Sequence, residues 1–143
     1  MTSSPRAVTL AVIAGEASGD ALGASLVRAL KARGLDISLI GVGGAALEAE
    51  GLKSLFPQSD IAVMGFAAVI QRLPLLLRRI SETARAIIAA RPDLLLTIDS
   101  PDFCLWGLSR QCIPPPNDRH LKLLNISRGR SVLIGTCSGI PLA

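Results

Sequence analysis

Leu94-Leu95-Leu96-Thr97-Ile98-Asp99-Ser100-Pro101-Asp102-Phe103 is the stretch that decides the fold. An apolar run this short, entered through Pro92-Asp93 and left through Ser100-Pro101, reads as a strand covered on both faces rather than as a helix. Strands of that kind belong to open parallel sheets, whose ligands gather in the crevice outside the carboxyl ends of the strands. Asp99 and Asp102 stand at that end and are candidates to act on a ligand; alternatively, Asp99 caps a turn and Ser100-Pro101 only ends the strand. A second strand end favours function. Ala7 to Ala14, AVTLAVIA, runs into Gly15-Glu16-Ala17-Ser18-Gly19-Asp20, bringing two more carboxylates and a flexible backbone to the same edge.

Working outward, Leu22, Leu26, Ala29 and Leu30 recur at helical spacing between Asp20 and Arg33, with Ser18 or Gly19 placed to cap and Gly34 to end the helix. Asp36 to Val42 supplies the next strand, and Gly41-Val42-Gly43-Gly44 turns into a short helix over Ala45 to Glu50, closed by Gly51. Leu52 to Phe56 is predicted as a short strand before the polar break Pro57-Gln58-Ser59-Asp60. The apolar segment Ile61 to Ile70 leads to a kink or boundary at Pro74. A helix follows from Leu75 to Ala90, with Leu76, Ile80, Ala84, Ile87 and Ile88 on one face and Arg78, Glu82 and Arg85 on the other, Glu82 pairing with Arg85. Strand and helix alternating in this way define an α/β, Rossmann-like, doubly wound parallel sheet.

Half of the 143 residues are hydrophobic, which excludes disorder for most of the chain. Few aromatics and no tyrosine argue against stacking platforms for nucleic acid. The formal charge of +4 has a single source: through Cys104 basic and acidic residues balance, and the excess comes from Arg110, Arg119, Lys122, Arg128 and Arg130. No nucleic-acid partner is expected. Cys104, Cys112, Cys137 and the lone His120 lack the spacing of a metal site, so no metal is expected. Gly15 to Asp20 has no lysine after its second glycine and is no P-loop, and Gly41 to Gly44 is too short for a dinucleotide fingerprint; no cofactor is assigned. The amino terminus carries no secretory leader pattern, and no apolar run reaches the roughly eighteen residues of a membrane span, so a cytosolic location is expected.

Past Cys104 the pattern changes. Trp106-Gly107-Leu108-Ser109 leads into Pro114-Pro115-Pro116, and only Val132-Leu133-Ile134 is expected to form a stub of strand. Residues 105–143 read either as a divergent, frame-shifted end or as an ordinary irregular one. With no strand beyond it, Leu94 to Ile98 is expected at an open sheet edge, which favours aggregation.

Ala14-Gly15-Glu16-Ala17-Ser18-Gly19-Asp20 with Leu22-Gly23-Ala24, then Gly41-Val42-Gly43-Gly44, Ala62-Val63-Met64-Gly65, Arg72-Leu73-Pro74 and Ile98-Asp99-Ser100-Pro101-Asp102-Phe103, in this order and spacing, resemble the start of lipid-A-disaccharide synthase. The resemblance covers about Val8 to Cys104. It implies that residues 1–104 are the acceptor-side part of the N-terminal half of a GT-B glycosyltransferase. The activity implied is transfer of 2,3-diacylglucosamine from UDP-2,3-diacylglucosamine to 2,3-diacylglucosamine 1-phosphate, giving the lipid A disaccharide and UDP. Asp99 matches the residue that looks like the family's general base; Glu16, Ser18 and Asp20, with Asp102, are similarly placed to hold substrate. Ala68 stands where the family usually has glutamate. An acceptor with two acyl chains implies a membrane surface as partner, on the inner face of the inner membrane. Met64 to Ile70 followed by Arg72, Arg78 and Arg79 fits an interfacial segment, or else a core helix with a solvated face. By itself the 143-residue chain is expected to be inactive. The rival is a non-catalytic nucleotide- or ligand-binding α/β module.

Overall fold

The computed structural model describes residues 7–61, 66–98, 122–127 and 130–136. The first strand, β1, spans Ala7–Ala14 and pairs in parallel with β2, Asp36–Val42, on one side and β3, Leu94–Ile98, on the other. Residues 122–127 form β4, parallel to β3, and residues 130–136 form β5, antiparallel to β4. The sheet order is β2-β1-β3-β4-β5.

Helices cover both faces of this sheet because its inner strands are apolar on both. Alternate residues Leu10, Val12 and Ala14 of β1, with Leu96 and Ile98 of β3, pack under helix α1, Ala17–Ala32, and the short helix α2, Ala45–Ala49. The intervening residues Ala11, Ile13 and Leu95 pack against Ala84 and Ile87 of helix α3, Phe66–Ala90. Leu10, Ile13, Leu96 and Ile98 are all but completely enclosed. Burying side chains of that size contributes about 1.5–3 kcal/mol each. The result is the doubly wound α/β fold that the strand pattern predicts.

Four details differ from the sequence expectations. First, α1 begins at Ala17 rather than Asp20, with Glu16 at its N-cap and no side-chain cap from Ser18. Its buried face is Gly19, Asp20, Gly23, Ala24 and Val27, and Leu22 is exposed. Small residues win that face because the helix lies close to β3: a Cβ on Gly23 would stand 3.0 Å from Ile98 Cδ1, and one on Gly19 3.1 Å from Ile98 Cγ2. Second, Leu52 to Phe56 makes only an isolated bridge, Gly41 to Ser54, so no strand forms there. Third, α3 runs through Pro74 instead of starting after it. Pro74 and Ile70, the residue whose carbonyl loses its helical partner, are both exposed, so water can serve that carbonyl. Glu82 pairs with Arg78 and Arg79 of the preceding turn rather than with Arg85. Fourth, Lys122–Ser127 and Arg130–Thr136 extend the sheet, where only a stub over Val132 to Ile134 is expected. β3 is therefore an interior strand and not an open edge.

The loop ends of α1, α2 and α3 follow from single residues. Gly34 and Gly51 take positive φ, 82° and 103°, after α1 and α2, and Arg91 does so after α3 at 47°. Asp93 ties the entry of β3 to β1: its carboxylate accepts from the Thr9 amide at 2.9 Å, and its own amide donates to the Thr9 carbonyl at 2.8 Å.

Candidate functional site

The chain leaves β1 to build β2 on one side, then returns across α3 to build β3 on the other. The strand order thus reverses between β1 and β3, and a crevice opens at such a switch point outside the carboxyl ends. Here the two strand ends are joined directly, because the Gly15 amide donates to the Ile98 carbonyl at 3.3 Å. The glycine loop after β1 therefore leaves the sheet beside the end of β3. Asp99 and Asp102 themselves lie outside the described residues.

Within the glycine loop the three candidate residues separate. Glu16 and Ser18, at the N-cap and in the first turn of α1, are exposed at the crevice end of the sheet. Asp20 is 5% exposed and is turned away from solvent. Its Oδ1 accepts from the amides of Gly44 at 2.8 Å and Leu47 at 3.1 Å, and its Oδ2 accepts from Ala46 at 2.9 Å. These are the otherwise unpaired amides at the start of α2, so Asp20 caps that helix across 24 or more residues of chain. Both carboxylate oxygens of Asp20 are thus engaged on α2. The Gly41 to Gly44 cluster serves the same packing. Gly41, at φ 135°, lies so close to β1 that a Cβ would enter the Val12 carbonyl, and a Cβ on Gly44 would stand 2.8 Å from Asp20 Oδ2.

Two features were not legible as functional in the sequence. Gln58, in the polar break, forms with Ser59 and Asp60 a 3₁₀ turn, and its Nε2 donates to the carbonyls of Ala14 and Glu16, each at 2.9 Å. The other end of that turn is held by α3: Arg79 donates to Asp60 Oδ2 at 2.9 Å and to Glu82 Oε2 at 2.7 Å, with its guanidinium 4.7 Å from the centre of the Phe56 ring. The hydrogen bond that Arg79 donates to Glu82, followed by that to Asp60, holds its pKa above the ordinary value. The hydrogen bond from Arg79, followed by that from Arg78, holds the Glu82 carboxyl below its own. The second feature is Thr97, 1% exposed near the end of β3, whose Oγ1 has no hydrogen-bond partner among the described residues.

On the outer face of α3, Ile70, Leu73 and Leu77 are 58%, 46% and 57% exposed, and the neighbouring Arg72 and Arg78 are exposed with them. No helix among the described residues is long and apolar enough to cross a membrane.

A doubly wound parallel sheet whose glycine loop meets the end of the neighbouring strand at its switch point is a Rossmann-like α/β domain. Comparison with known proteins narrows that class. The family model described as lipid-A-disaccharide synthetase matches residues 10–108. Lipid-A-disaccharide synthases of Pseudomonas aeruginosa (strain LESB58) and Azotobacter vinelandii are 55% and 56% identical to the chain over 96 residues, 67% of this chain and 25% of theirs. That of Nitrobacter hamburgensis is 57% identical over 93 residues, 64% of this chain and 24% of its own. The chain belongs to the lipid-A-disaccharide synthetase family. It spans about a quarter of the length of these curated relatives.

Proposed function

We propose that residues 1–104 form the acceptor side of an inverting GT-B glycosyltransferase of lipid A synthesis. The acceptor is 2,3-diacylglucosamine 1-phosphate and the donor UDP-2,3-diacylglucosamine. The acceptor's 6-hydroxyl oxygen attacks the donor's anomeric carbon as the bond from that carbon to the UDP oxygen breaks. The hydroxyl proton passes to a base, and UDP leaves with the electron pair. Asp99 is that base, Asp102 is its neighbour on the substrate, and Glu16 and Ser18 hold the acceptor from the facing loop.

The observation that carries this proposal is the family match over residues 10–108. The hydrogen bond from Gly15 to Ile98 supports it, since it joins the glycine loop to the residue that precedes Asp99 in the chain. Proton abstraction by a positioned carboxylate contributes about 10²- to 10⁴-fold. Donor binding and leaving-group stabilisation belong to a second domain in the family, so residues 1–104 do not catalyse transfer alone. Residues 105–143 are a divergent end, in keeping with a family match that stops at residue 108.

The exposed Ile70, Leu73 and Leu77 with Arg72 and Arg78 form the surface that meets the lipid, apolar side chains entering the acyl boundary and arginines meeting phosphates. The protein then works in the cytoplasm, peripheral to the inner face of the inner membrane.

The test replaces the matched segment of the Pseudomonas aeruginosa relative with residues 1–104 and assays disaccharide formation. Transfer by the chimera, reduced about 10²- to 10⁴-fold by Asp99→Asn, is the expected result. A folded chimera without transfer defeats the functional proposal, and near-normal turnover by Asp99→Asn defeats the role of Asp99.

A further inference from the structure

We propose that Gln58 is a positioning residue for the glycine loop after β1, holding Glu16 and Ser18 toward the crevice; the claim about substrate rests on the functional proposal above. The geometry starts from an unusual demand. The β1 carbonyl of Ala14 and the N-cap carbonyl of Glu16 both turn toward the 3₁₀ turn, and a single carboxamide nitrogen at 2.9 Å from each answers both. A carboxamide carries two donors on one nitrogen, so Gln58 can satisfy both carbonyls at once, and the same two acceptors fix which of its ends faces the loop. Glu16 also accepts from the Asp20 amide at 2.9 Å, the first hydrogen bond of α1. Gln58 therefore grips the loop at its exit from β1 and at its entry into α1, with Gly15 and its bond to Ile98 between the two grips.

The anchor behind Gln58 is equally specific. Its turn has three residues, Gln58 to Asp60, and Asp60 is tied to Arg79 of α3 at 2.7 Å with both side chains 21% exposed. The loop is thereby referred to the helix on the far face of the sheet as well as to α1 on its own face. The exposed side chains that the loop presents, Glu16 and Ser18, inherit that placement.

The test uses the full chain and two substitutions that keep the volume of the side chain. Gln58→Met fills the space and donates nothing; Gln58→Glu keeps the shape and sets carboxylate oxygens against two carbonyls. Hydrogen exchange is followed at the Gly15 and Asp20 amides, with β1 amides such as Val12 as the internal reference. Protection at Gly15 and Asp20 is expected to fall about tenfold in Gln58→Met and further in Gln58→Glu, the loss of two net hydrogen bonds, while Val12 is unchanged. Wild-type protection at both amides in either variant overturns the proposal, because a space-filling side chain would leave it intact. Binding of 2,3-diacylglucosamine 1-phosphate in detergent micelles is measured alongside and should weaken by a similar factor in both variants. A wild-type chain that does not bind this lipid at all defeats the functional proposal, and the exchange data still decide what Gln58 holds.

Discussion

Asp20→Ala removes one carboxylate and leaves three amides without an acceptor. Of these, Leu47 heads a side chain that is fully buried against Val12, Val27 and Leu96, while Gly44 and Ala46 are partly buried. Loss of an N-cap costs about 1 kcal/mol, and a buried donor left unpaired costs about 1–3 kcal/mol. With the two other amides partly reached by water, the sum is about 3 kcal/mol. Helix α2 has five residues and cannot persist without its cap, so the damage spreads to Leu47 and to the Gly43-Gly44 approach. Asp20→Asn should cost less, about 1–2 kcal/mol, since one oxygen still serves Gly44 and Leu47 while the new NH2 confronts the Ala46 amide. In urea, with a slope of about 1.5 kcal/mol/M, the alanine variant should unfold about 2 M earlier than wild type. A midpoint within about 0.3 M of wild type would refute the capping role.

Further outcomes follow from other contacts. Gly41→Ala drives a Cβ into the Val12 carbonyl at φ 135°, and should destabilise the chain by about 3 kcal/mol or more, read by the same titration. Arg79 and Arg78 hold the Glu82 carboxyl below its ordinary pKa, so their contribution is fully present above the ordinary glutamate range and is lost as pH falls through the depressed folded value. Melting temperature measured from about pH 6 down to about pH 3 should fall less steeply in Glu82→Gln than in wild type. Replacing Ile70, Leu73 and Leu77 together by Ser should abolish co-sedimentation with anionic vesicles while leaving the far-ultraviolet circular dichroism unchanged, because all three are exposed.

The alternation of strands and helices was readable because β1 and β3 are buried on both faces over Leu10 to Ala14 and Leu95 to Ile98, which calls for nearly continuous apolar runs. The face of α1 was not. Leucine spacing pointed to Leu22, whereas the close approach to Ile98 selects Gly19 and Gly23, a demand that arises only once β3 lies beneath the helix. Proline removes a helical hydrogen bond and so reads as a kink or boundary, yet α3 runs through Pro74, whose exposed position lets water take the freed carbonyl. The two parts of the glycine loop could not be told apart from their residue types: Glu16 and Asp20 are both acids, and only the position of α2, brought by a distant segment, assigns Asp20 to capping. Gln58 was hidden for the same reason. Its partners, Ala14 and Glu16, lie more than forty residues earlier and offer only backbone carbonyls, which leave no trace in side-chain pattern.

The central claim, that the switch-point crevice receives the acceptor lipid, is tested most directly by amide chemical shifts of the isotope-labelled chain titrated with micellar 2,3-diacylglucosamine 1-phosphate. The expected result is that shifts concentrate at Gly15 to Gly19 and from Ile98 through Phe103, with empty micelles and UDP alone leaving both segments unmoved. Shifts confined to the opposite end of the sheet, around Asp36, Arg91 and Asp93, or a crevice that answers to UDP and not to the lipid, would contradict it.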